Sequence, residues 1–150
     1  MRKTMMQLEE YADELFRSGV VPEDVYKYIL MEFYGTPYEW GGQSPMGSDC
    51  SGSVCTAISL ATGRRIRVTA DELYRRYFTD DVTGSRRKHI LCAVFFLDEN
   101  DKAVHVAGLC EGMYMNVSRC EPNEAGNFRT AAELMRLYPH LRMRNRGMII

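Results

Sequence analysis

A cysteine at a helix start, a histidine inside a strand and an asparagine on the next strand can together carry out nucleophilic acyl chemistry. Cys50 follows Ser48 and Asp49, two residue types that cap helix N-termini. A cysteine there faces unpaired backbone N–H groups and the positive end of the helix dipole. Both favour the thiolate, which is the form that attacks. The chain has only three histidines. His89 lies beside a basic loop and His140 in a polar tail, so both read as surface residues. His105 sits among Val104, Val106 and Ala107. Alone it would read as a core histidine bonded to a carbonyl; with Cys50 earlier in the chain it becomes a candidate base.

The elements that must position these groups follow from pattern. Residues 4–18 are helical, with Met5, Leu8, Ala12, Leu15 and Phe16 on one stripe and Gly19 as a stop. Pro22, Glu23 and Asp24 open a second helix that runs to Gly35. A Gly- and Pro-rich loop then leads into a helix from Cys50 to about Ala61, with Gly63 as its C-cap. That helix is apolar on most faces and so is expected to lie centrally. Thr69 and Glu72 form a capping box for a short helix. Residues 79–88 are polar and turn-like. His89–Leu97, Ala103–Cys110 and Met113–Ser118 read as three strands of an antiparallel meander, Thr130–Tyr138 as a helix, and Arg142–Ile150 as a last strand. Helices first and strands after them indicate an α+β fold.

The meander offers a test of the site. If Glu111-Gly112 is a two-residue turn, Cys110 pairs with Met113 and Leu109 with Tyr114. Asn116 then falls diagonally beside His105 on one face, and such neighbours lie ~7–8 Å apart at the backbone. An Asn–His hydrogen bond at that reach would hold the imidazole in one tautomer. Asn116 also reads as a solvent-facing residue of an edge strand, and Ser118 is a second candidate for orienting His105.

Composition bounds the rest. The 150 residues allow one domain, 1–150, in which residues 1–20 form an N-terminal helical extension. The formal net charge of −1 gives no bulk attraction to nucleic acid or to a membrane surface. The basic pairs Arg64-Arg65 and Arg75-Arg76 and the cluster Arg86-Arg87-Lys88 read as solvated surface. No apolar run approaches a membrane span, and the N-terminus lacks the apolar core of a signal peptide. A cytosolic protein, or one released by another route, is therefore expected, and a monomer. Five cysteines with no Cys-x-x-Cys pair call for no structural metal, cofactor or disulfide framework. Cys55, Cys92 and Cys110 read as small buried hydrophobes; Cys120 lies in a polar stretch.

The run Pro37-Tyr38-x-Trp40-Gly41-Gly42-x-Ser44-Pro45-x-Gly47-x-Asp49-Cys50-Ser51-Gly52-x-Val54 resembles the nucleophile region of NlpC-type cysteine peptidases. The Val94-Phe95-Phe96 strand, His105-Val106 and Asn116 resemble that family's later landmarks, so the likeness spans roughly residues 25–120. It implies a papain-like fold in which a Cys-bearing helix packs on an antiparallel sheet bearing His. It implies hydrolysis of bacterial peptidoglycan stem peptides, often between γ-D-glutamyl and a diamino acid. By the same resemblance Cys50 is the nucleophile, His105 the base, Asn116 the orienter and Tyr38 a residue near the oxyanion. Asp49 and Ser51 would bind the ammonium of a free N-terminal L-Ala where one is required, and Trp40 would form a wall of the cleft. The chain departs from the family at Leu91-Cys92, where Gly-Asp is usual, at Ala107 after His-Val, and at Asn116, where His is common. These departures indicate a divergent branch; a cytosolic recycling enzyme, or a prophage-type lysin or tail component released by other means, is the expected setting. A papain-like acyltransferase or deamidase and an inactive wall-peptide-binding module are the alternatives.

Overall fold

Three threonines and one aspartate start helices here. Thr4, Thr69 and Thr130 each accept a bond from the backbone N–H three residues on, and Gln7, Glu72 and Glu133 reach back to complete the capping boxes. Only the box at Thr69 is read from the sequence above. The helices are α1 (Met5–Arg17), α2 (Pro22–Met31), α3 (Cys50–Thr62), α4 (Ala70–Glu72) and α5 (Ala131–Leu137); α2 has no side-chain cap and opens on Pro22 instead. Asp49 caps α3, and α4 runs on into a π-helical turn, Leu73–Tyr77. The computed structural model describes residues 1–82 and 89–150. Most of the turn-like run expected at 79–88, and the cluster Arg86-Arg87-Lys88, lie outside the described residues.

A hairpin the sequence did not announce, β1 (Gln43–Ser44) with β2 (Gly47–Ser48), sits inside the loop before α3. The main sheet comprises β3 (Ile90–Leu97), β4 (Ala103–Cys110), β5 (Met113–Asn116), β6 (Asn127–Arg129) and β7 (Arg142–Ile149). Its strand order is β6-β5-β4-β3-β7, antiparallel throughout. The expected hairpin register holds: Cys110 pairs with Met113, Leu109 with Tyr114 and Gly108 with Met115. β6 was not foreseen. It pairs Asn127 with Asn116, so β5 is covered rather than an edge.

Strand pleating sends alternate side chains to opposite faces. Leu91, Ala93, Phe95 and Leu97 of β3 join α1, α2 and α3 in the main core, to which α1 contributes Leu8 and Ala12. Val94, Phe96, Ala107 and Tyr114 meet Leu134 of α5 on the other face. α3 is buried from Ser51 to Ile58, as its apolar composition requires. Gly108 lets α2 lie close on β4: a Cβ there would come within 2.5 Å of Leu30. Cys55 and Cys110 are buried as expected, but Cys92 is only half-buried, because it lies toward the end of β3 on the less covered face. The pairs Arg64-Arg65 and Arg75-Arg76 are exposed. No described helix is long and apolar enough to cross a membrane.

Candidate active site

Cys50 is the first residue of α3, and its position is set by the loop behind it. Asp49 Oδ1 accepts the Gly52 N–H at 2.7 Å, which is the helix cap. The Gly42 carbonyl accepts the Asp49 N–H at 3.1 Å, and the Thr56 hydroxyl donates to the Gln43 carbonyl at 2.6 Å. The hairpin is thus fastened to the first turns of α3. Gly52 permits this: a Cβ there would lie 2.0 Å from the Gly42 oxygen. The loop is also fastened to the far side of the sheet, since the Tyr38 N–H donates to Glu124 O at 2.7 Å and the Gly35 N–H to Gly126 O at 2.8 Å.

His105 is on β4 opposite Phe96, buried to 7% exposure. Its ring packs against Tyr138 with centroids 4.5 Å apart. Nε2 and Asn116 Oδ1 are 2.6 Å apart. Asn116 is fully buried, so the solvent-facing alternative does not hold. Ser118 is bonded elsewhere: its hydroxyl accepts from Tyr138 at 2.6 Å. Asn116 Nδ2 donates to Glu121 Oε2 at 2.7 Å, and Arg129 grips both oxygens of Glu121. The sequence reading missed Glu121 and Arg129, which lie in a segment without periodicity, and Tyr138, which closes the expected helix.

What brings Cys50 and His105 together is a peptide group. The N–H of Val106, which follows His105, lies against the Cys50 sulfur and favours its thiolate, as do the N–H groups of Ser51 and Cys50. Burial opposes them and wins, pushing the thiol up to about 11. The N–H groups of the helix start act in the expected direction, and burial outweighs them. Burial likewise pushes His105 down to about 4, against the raising influence of Asn116 and Glu121. The pair therefore rests as thiol and neutral imidazole. Among the described residues no hydrogen bond joins the two side chains; such bonds often tighten only with substrate bound.

Residues 35–118, more than half of the chain, match the NlpC/P60 family. The chain belongs to the NlpC/P60 family. Over 52 residues it is 40% identical to dipeptidyl-peptidase 6 of Lysinibacillus sphaericus, covering 35% of this chain and 18% of that protein. Over 46 residues it is 50% identical to the murein DD-endopeptidase MepH of Escherichia coli, covering 30% of this chain and 17% of that protein. The matched stretches are thus less than a fifth of these relatives' lengths. The fold resembles the NlpC/p60 domain of the peptidoglycan hydrolase SagA, with TM-score 0.59 and 20% identity over 84% of this chain and 97% of that one. It also resembles an NlpC/P60 protein from Bacillus cereus, with TM-score 0.63 and 22% identity over 84% of this chain and 39% of that one. The α+β architecture expected from the sequence is that of this family.

Around the NlpC/P60 core the other candidate residues fall in different places. Tyr38 is half-buried, and burial raises its hydroxyl pKa, helped by Cys50 and Asp49, which lie within electrostatic reach. The Arg119 guanidinium stands over its ring, 4.9 Å from the centroid. Asp49 is buried, and besides Gly52 it accepts bonds from Gly41 N–H at 2.9 Å, the Ser51 hydroxyl at 3.2 Å and Arg67 at 3.0 Å. Arg67, unmarked by any sequence signal, also donates to Ser51. Trp40 is 81% exposed on the loop before α3. His89 and His140 are at the surface, as expected.

Proposed function

We propose that this NlpC/P60 chain is a cysteine peptidase that hydrolyses peptide bonds in bacterial cell-wall stem peptides, at the link between γ-D-glutamyl and a diamino acid. The observation that carries this reading is the buried His105–Asn116 hydrogen bond, with the His105–Val106 peptide resting against the sulfur of Cys50. The names of the family's peptidoglycan hydrolases support the substrate class.

In this reading Asn116 holds the Nε2 proton of His105 and leaves Nδ1 as the basic nitrogen. Nδ1 takes the Cys50 proton as the sulfur attacks the scissile carbonyl. Burial penalises each charge singly, but proton transfer creates both together, so each compensates the other. The tetrahedral oxyanion is held by the Cys50 N–H and the Tyr38 hydroxyl, donors each worth about 3–4 kcal/mol where measured. The intermediate collapses to a thioester, and the departing amine takes its proton from His105. Water then gives a proton to Nδ1, attacks the thioester and releases the acid with Cys50 regenerated. Trp40, exposed on the loop before α3, contributes to substrate binding.

The test is digestion of purified cell wall and of defined stem peptides, read by mass spectrometry. Wild type should release the two fragments flanking the γ-glutamyl bond, and Cys50→Ala should release none while unfolding at the same temperature. Undiminished cleavage by Cys50→Ala would end the proposal. A thioester that passes to added amines faster than to water would make the enzyme a transferase instead.

A further inference from the structure

The Asp49 carboxylate lies next to the nucleophile in the chain, and its acceptor sites are all taken. Oδ1 holds the Gly52 N–H, the Ser51 hydroxyl and Arg67 Nη2; Oδ2 holds the Gly41 N–H and Arg67 Nη2. A carboxylate offers about four lone-pair sites, and these contacts fill them. Arg67 is itself committed, because its Nη1 donates to Ser51 Oγ and to the Val68 carbonyl. An arriving ammonium would find the charge of Asp49 already neutralised by a cation held on several bonds.

Arg119 is in the opposite condition. It is exposed, and among the described residues its guanidinium makes no hydrogen bond or ion pair; its one contact is the face of Tyr38 at 4.9 Å. Stacking on a ring fixes a guanidinium without using its N–H groups, so the planar fork stays open. Tyr38 in turn lies within electrostatic reach of Cys50. Beside the thiol there are thus one satisfied ion pair and one uncommitted cation whose fork matches a carboxylate.

We infer that this cleft selects an acyl donor carrying a free carboxylate and no free ammonium, with Arg119 receiving the carboxylate and the Arg67–Asp49 pair closing the neighbouring subsite to cations. The inference rests on the stem-peptide reading for the identity of that carboxylate. In a γ-linked glutamyl residue the side-chain carboxyl forms the scissile amide, and the α-carboxylate remains free on the acyl side. Arg119 is the specificity-determining residue for it.

Four stem peptides test this: the glutamyl α-carboxylate and its α-amide, each with a free and with an acetylated N-terminus. Wild type should cleave the carboxylate form with kcat/KM about 10-fold or more above the amide form, the usual worth of a charge-assisted bidentate contact. Acetylation should change kcat/KM by less than about two-fold, since no ammonium is read. In Arg119→Ala the carboxylate-to-amide ratio should collapse to about 1, mainly through KM. Calorimetric binding of the same peptides to Cys50→Ala reads the preference without turnover. Equal affinity for carboxylate and amide, a tenfold loss on acetylation, or no binding of any peptide would overturn the inference. Selective binding with no cleavage by wild type would instead retire the peptidase reading and leave this one standing.

Discussion

Asn116 donates its side-chain amide to Oε2 of buried Glu121 at 2.7 Å, and this contact decides which way the Asn116 side chain faces. An ionised carboxylate only accepts, so Nδ2 must point at Glu121 and Oδ1 at His105. Oδ1 also only accepts, so Nε2 of His105 must carry the proton. The tautomer that frees Nδ1 is therefore set two side chains away, at a carboxylate whose charge is balanced by Arg129.

Substitutions along that line should separate orientation from packing. Asn116→Ala should lower kcat by about 10²-fold with little change in KM, the usual cost of a misplaced catalytic group. Ser118→Ala should cost far less, because Ser118 is bonded to Tyr138. Equal losses in the two variants would show that the hairpin contact does not orient the base. Glu121→Gln should lower kcat and also move the acid limb of the pH–rate profile to lower pH, since the Glu121 charge raises the His105 pKa.

Stability should fall on both sides of neutrality. His105 is held at about 4 against its usual 6.5, so between those values the unfolded chain binds the extra proton. Stability then rises with pH across that window and is lost as pH falls through it, by about 3 kcal/mol. Cys50 is held at about 11 against 9.0, so between those values the native state keeps the extra proton and stability drops as pH rises. Denaturant titrations across pH read both slopes. His105→Ala should flatten the acid one and Cys50→Ala the alkaline one.

Thiol labelling should report the Cys50–His105 coupling. Near neutral pH, iodoacetamide should label exposed Cys120 in every variant. Cys50, with its thiol pushed up to about 11, should label only with the help of His105. Peptide mapping of His105→Ala should therefore show Cys120 labelled as in wild type and Cys50 near background. Undiminished Cys50 labelling would show that no proton passes between them.

Gly52→Ala should unfold earlier than wild type. The added Cβ would fall 2.0 Å from the Gly42 carbonyl oxygen, a backbone atom that the Asp49 N–H also holds. Such overpacking costs about 3 kcal/mol, which lowers Tm by about 6–12 °C in a chain of this size. Calorimetry measures it.

Much of this was legible because it is local. The cap at Asp49, the stop at Gly63, the Thr69–Glu72 box and the Glu111-Gly112 hairpin are each set by residues a few positions apart, and each appears where expected. The hairpin register alone placed Asn116 beside His105. What escaped depends on partners far along the chain. Arg67 matters through Asp49, 18 residues earlier, and Tyr138 through Asn116, 22 residues earlier. β6 is three residues long, too short for a periodic signal. The effect of burial on Cys50 was not legible, because a helix start is a local cue, whereas desolvation depends on everything packed around it.

The backbone bonds from Tyr38 to Glu124 and from Gly35 to Gly126 tie the nucleophile loop to a part of the chain made about 90 residues later. During synthesis α3 emerges long before that seam can close. A nascent chain that has released Cys50 but not Glu121 and Gly126 carries an ordinary thiol, with no fixed imidazole tautomer and no anchored loop. The order of translation thus sets the order of assembly: the Cys50–His105–Asn116 arrangement is complete only once Glu121 and Gly126 have left the ribosome.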